Sequence, residues 1–122
     1  MERVKWMETR GKKVLYIDYR GLVGLKGEAE ANAVWEESQR ILKMSPTKVL
    51  MMTNFNEAHG SKEFMDRINK EGKETKDKVE KSALLGITGV KSILFSAYVR
   101  FTGQNNLKSF DTEEAAIEYL VS

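Results

Sequence analysis

The hydrophobic pattern changes period several times along the chain, and each change marks an element. In "RVKWMET" Val4 and Trp6 alternate with Arg3, Lys5 and Glu8, the two-residue period of a half-buried strand. "RGKK" supplies turn residues and "VLYIDY" follows as a second strand, apolar on both faces, so the N-terminus reads as a β-hairpin. From Glu28 onward Ala31, Val34, Trp35, Ser38, Ile41 and Leu42 recur every three or four residues, the stripe of an amphipathic helix. Ser45-Pro46 stops it, because proline disfavours helical geometry in the residue before it. "KVLMMTN" has no alternation and predicts a strand covered on both faces.

The second half continues the alternation of strands and helices. "SKEFMDRINKEGKETKDKVEKS" predicts an exposed helix over residues 61–82. Its thin stripe of Phe64, Ile68, Thr75 and Val79 is interrupted by Gly72, and it carries i,i+4 charge pairs such as Glu63/Arg67, Asp66/Lys70, Glu74/Lys78 and Asp77/Lys81. "ALLGITG" is an apolar strand, "VKSILFSAYVRF" a helix that is apolar almost all round, and "NLKSF" a last short strand. In "FDTEEAAIEYLV" Asp111 suits an N-cap, Glu114 its capping-box partner, and Phe110 a staple against Ala115. The order β-β-α-β-α-β-α-β-α predicts a single α/β domain over residues 1–122. Its sheet is mixed and mostly parallel, with the hairpin as an antiparallel edge and about four helices.

Composition narrows the function classes. At 122 residues, 41% hydrophobic and 31% charged, the chain can bury one core and is not of disordered type. Twenty basic residues against 18 acidic ones leave no general drive toward nucleic acid. The lysine-rich segment from Lys62 to Lys81 holds seven basic and six acidic residues, so its surface is zwitterionic. The sequence has no cysteine, which excludes disulfides, thiolate nucleophiles and zinc ribbons and suits the cytoplasm. "MERVKWMETR" has no apolar core of a secretory signal, and the run "ILFSAYV" is far shorter than the ~20 residues of a membrane span.

Candidate chemistry is sparse. In an α/β protein the junction "TNFNEAHGS", where a buried strand runs into a turn and a helix, is where ligands and modifications sit, which raises Thr53, Asn54, His59 and Ser61. His59 is the only histidine and has no second ligand for a metal; a solvated turn residue is the plainer reading. "GLVGLKG" matches neither phosphate-binding glycine pattern and reads as a connection. Asp18, inside the second strand, either faces solvent or is partly buried with a raised pKa. The helix expected over residues 90–101 carries more apolar surface than one sheet contact covers. A neighbouring helix, a second subunit or a lipid could take up the excess, and Lys91, Arg100 and Lys108 frame it with positive charge.

The C-terminal stretch "KSALLGITGVKSILFSAYVRFTGQNNLKSFDTEEAAIEYL" resembles the SpoIIAA-like family, the STAS/SEC14-like domains: an apolar strand, a glycine turn from Gly86 to Gly89, an apolar helix, a short strand and an "FDxxExA" helix. The resemblance extends more loosely over the whole chain. It implies a compact α/β regulatory domain. In the relatives of this kind a serine or threonine in a D-[ST]-x-G motif follows the central strand, and its phosphorylation ends partner binding. Here Asn54 stands where that aspartate would be, and Ser61 is the nearest helix-opening hydroxyl, a candidate phosphoacceptor that also suits an N-cap. The SEC14-like side of the resemblance implies an apolar cavity under a movable helix, for which residues 90–101 are the candidate.

The expected function is a non-catalytic cytoplasmic regulatory or protein-binding module, with a protein partner or a homodimer. Binding of a lipid or small apolar ligand is the alternative. The expected interface or ligand-binding residues are Asn54, His59, Ser61, Leu94, Phe95, Tyr98 and Phe101, with no catalytic residue, cofactor, metal or nucleic-acid partner.

Overall fold

A computed structural model describes residues 2–59, 61–89 and 106–122 of the chain. Five strands form one sheet in the order β1 to β5: β1 (Val4–Thr9), β2 (Lys12–Asp18), β3 (Val49–Asn54), β4 (Val79–Leu85) and β5 (Leu107–Phe110). Only β1 and β2 pair antiparallel; the other three pairings are parallel. The expected hairpin is therefore present. Its two-residue turn places Arg10 at φ 50° and Gly11 at φ 78°, the left-handed pair that matches the twist of the flanking strands. Val4 is buried at this edge, but Trp6, on the same face, remains 47% exposed.

Three helices are found among the described residues, against about four expected: α1 (Gly24–Met44), α2 (Lys62–Thr75) and α3 (Glu113–Val121). The helix expected over residues 90–101 lies outside the described residues. α1 begins four residues before Glu28. The helix expected over residues 61–82 ends at Thr75, and a short 3-10 turn at Lys76–Lys78 leads straight into β4. The charge pairs beyond Thr75 suggest continued helix, but Val79 and Ser82 belong to a strand that pairs with β3. Tertiary pairing overrides local helical support there. Thr112, rather than Asp111, caps α3 by accepting the Ala115 N–H at 3.2 Å, and the Phe110 ring, expected as a staple against Ala115, packs on Tyr119.

The strands divide their side chains between two layers. On one face Val14, Tyr16, Leu50, Met52, Ala83 and Leu85 pack against Ala116 and Leu120 of α3. The end of α3 is held by Lys81, whose ammonium donates to the carbonyls of Tyr119 and Ser122 at 3.0 and 2.8 Å. On the other face Leu15, Ile17 and Met51 meet α1 and α2. Successive parallel neighbours joined by right-handed crossovers place α1 and α2 on that same side.

Candidate functional site

The layer between the sheet and α1/α2 is not filled. A cavity of about 240 Å³ lies there, with Ile17, Met51 and Leu84 on the strand floor and Trp35, Leu42 and Ile68 on the helix walls. The reason is in the inward positions of the two helices. Ala31, Ser38, Gly72 and Thr75 face the cavity, and residues this small cannot reach the sheet across an ordinary helix-sheet spacing. The interruption of the α2 stripe at Gly72 is thus part of the cavity wall.

A polar clasp along the outer edge holds the two helices at this separation. The Trp35 indole N–H donates to Glu71 at 2.9 Å. Arg67 donates to Glu71, to Glu36 and to the Asn32 side-chain oxygen at 2.8, 2.9 and 2.6 Å. Burial alone would raise the Glu71 pKa, but hydrogen bonds from Arg67 and Trp35 hold it below the ordinary glutamate value. Arg67 is therefore spent on the clasp rather than on the expected partner Glu63. Deeper in, the Thr75 hydroxyl donates to Gln39 at 2.7 Å, a buried pair in the cavity wall.

The cavity extends to the C-terminal ends of the parallel strands, where the junction turn lies. Asn54 is buried: its amide donates to the Tyr16 hydroxyl at 3.1 Å, and its side-chain oxygen accepts the Asn56 N–H at 3.0 Å. It builds the turn rather than offering a free group. The turn is stitched on both sides, Phe55 N–H to the Leu85 carbonyl at 2.8 Å and His59 N–H to the Leu22 carbonyl at 3.2 Å. Gly86, at φ 80°, passes so close that an added Cβ would lie 2.5 Å from the Asn56 nitrogen. His59 is exposed and lines the cavity at this end. Ser61 caps α2 by accepting the Phe64 N–H at 3.0 Å and donates its own proton to Glu28. Leu94, Phe95, Tyr98 and Phe101 lie outside the described residues.

An aromatic group closes this end. The Tyr19 ring stacks on Phe55 at 5.0 Å and meets Phe64 edge-on at 5.8 Å, and burial pushes its phenol pKa up, so the phenol stays protonated. Asp18 departs from the raised pKa considered for it. Burial alone would raise it, but side-chain and backbone hydrogen bonds from Arg20, with the charge of Arg3, hold it below the ordinary value. Arg3 also donates to the carbonyls of Asp18 and Arg20, which ties this corner to the loop before α1.

The sequence reading missed Tyr19, Trp35, Gln39 and Ser82 as site residues and raised Thr53 only as one of four turn positions. The available signal was the set of small and polar residues in otherwise apolar inward stripes. Among the described residues no group of acidic or histidine side chains could hold a metal, and no helix is long and apolar enough to cross a membrane.

No family model and no curated protein matches the chain. Its structure is similar to the crystal structure of an uncharacterized protein of the DUF3478 family with a SpoIIAA-like fold, from Shewanella loihica PV-4. The TM-score is 0.69 at 14% identity, over 96% of this chain and 91% of that one. The chain therefore has a SpoIIAA-like α/β fold, as its C-terminal motifs implied.

Proposed function

We propose that the protein is a non-catalytic binding module of STAS-like type, and that what it binds is a small, largely apolar molecule held between the sheet and α1/α2. The carrying observation is the cavity itself: about 240 Å³, mostly apolar, reaching the strand ends where ligands of parallel α/β sheets sit. It exceeds the ~150 Å³ of an engineered apolar cavity that takes up benzene. Among the described residues the lining includes no carboxylate to serve as a general base, which supports a binding role over catalysis. Modification of Ser61 is no part of the proposal, since its hydroxyl is engaged at both the helix cap and Glu28. A cytoplasmic setting belongs to the same proposal and is supported by the cysteine-free sequence.

A second reading, contact with a protein partner or another copy, is favoured by Trp6, exposed on the edge strand β1. One experiment separates the two: native mass spectrometry of the protein purified from its own host, beside an Ala31→Phe variant that fills the cavity. The expected result is a monomer carrying small extra masses that the variant loses. A dimer without bound mass would favour the second reading, and a bare monomer in both samples would overturn the first.

A further inference from the structure

The cavity holds polar groups that its own walls do not satisfy. Tyr19, Thr53 and Ser82 are each at least nine-tenths buried and line it. None of their hydroxyls has a hydrogen-bond partner among the described residues. Buried polar side chains are ordinarily paired, because an unmade hydrogen bond costs more than a made one gains. Three hydroxyls thus border one apolar cavity, where a molecule from outside the fold can reach them.

Resting on the ligand-binding reading above, we infer that the ligand is an elongated apolar molecule bearing an uncharged oxygen, such as an alcohol, ketone or ester, which these hydroxyls receive. The shape follows from the walls. On α1 the lining runs from Ala31 to Leu42, a length of roughly 16 Å at the helical rise, so the ≈ 240 Å³ forms a slot rather than a bowl. The hydroxyls are spaced along its floor. Thr53 pairs with Leu84 and Met51 with Ser82, so Ser82 lies one same-face step, roughly 7 Å, below Thr53. Tyr19 stands beside Thr53 at the strand ends, its backbone N–H bonded to the Asn54 carbonyl at 2.9 Å.

The charge of the ligand follows from the lining. Among the described residues no acidic side chain lines the cavity, so a buried ammonium would find no carboxylate there to compensate its desolvation. Among the described residues, the two lining side chains that can carry positive charge, His59 and Lys76, belong to exposed residues. A carboxylate drawn inside would lie against hydroxyls without a buried cation. A neutral oxygen accepts from the same hydroxyls at no such cost.

The test titrates 1-octanol, n-octane and octylammonium into the full chain carrying Trp6→Phe, so that Trp35 in the cavity wall is the reporting fluorophore. 1-Octanol is expected to bind roughly three- to ten-fold tighter than n-octane, the worth of one net hydrogen bond, and octylammonium no tighter than n-octane. The combined variant Tyr19→Phe/Thr53→Val/Ser82→Ala keeps the apolar shape and is expected to bind both neutral probes equally. If that variant does not fold, Thr53→Val/Ser82→Ala is expected to lose part of the preference. Equal binding of 1-octanol and n-octane to the unmutated cavity, or a preference that survives the hydroxyl deletions, overturns the inference and leaves the apolar cavity reading standing. No response of Trp35 to either neutral probe overturns both.

Discussion

The two faces of the sheet are built from neighbouring residues of the same strands, yet one is closed and the other is hollow. Met52 and Ala83 face α3 and are fully buried, while Met51 and Ser82, one residue before each, face the cavity. On the closed side a single helix comes close because Ala83 and Ala116 are both small and fully buried. On the hollow side two helices are held off the sheet by an outer polar clasp and by Trp35, and small residues line the gap left beneath. Small side chains thus have opposite consequences. Where the backbone can follow them they bring layers together, and where other contacts fix the helix they leave space.

The largest expected difference is in truncation. Met52→Ala should cost about 3 kcal/mol, since it opens a void in a filled layer, whereas Met51→Ala should cost about half as much because its side chain already borders open space. Urea unfolding of the two variants, each with an unchanged slope, checks this; equal costs would mean that the hollow side is packed in solution. Enlargement should show a smaller difference of opposite sense. Ala83→Leu should destabilise by about 2 kcal/mol through overpacking against α3, while Ser82→Val should stay within about 1 kcal/mol of the parent in either direction. Thermal midpoints measured side by side decide it.

The smallest effect concerns the clasp. Glu71→Gln should cost well under 1 kcal/mol, because the glutamate and Arg67 are both partly solvated. The folded Glu71 pKa lies below its unfolded value, so its contribution is complete above the unfolded value and is lost as pH falls through the folded one. In a Trp6→Phe background, Trp35 fluorescence should therefore change on acidification through that range, and the Glu71→Gln variant should show no such transition. Hydrogen exchange should quicken in α2 and not in α3.

Much of the fold was legible from period alone. The hairpin and the stripe of α1 carry the periods of a strand pair and a helix, and the short uninterrupted run "VLMMTN" reads as a strand by its length. The reading failed between Thr75 and Val79, where alternating charges support a helix locally and pairing with β3 imposes a strand. At the junction turn the candidate residues lie at the strand ends, and their roles were legible only in part. The N-cap role open to Ser61 in sequence is the one it takes, whereas the use of Asn54 as the turn's builder had no signal in the sequence. His59 alone of the three borders the cavity.

The alternation of strands and helices over the described residues, the antiparallel edge and the two-sided burial of β3 are sequence properties, because each follows from the spacing of apolar residues along one stretch of chain. That Tyr19, Trp35, Thr53 and Ser82 share one cavity is a property of the packing between layers. Those residues come from the loop after β2, from α1, from β3 and from β4, and what joins them is a volume left empty when α1 and α2 are held at a fixed height above the sheet. Spacing along a chain records which face a side chain takes. It does not record how much of the space between two faces the side chains fill.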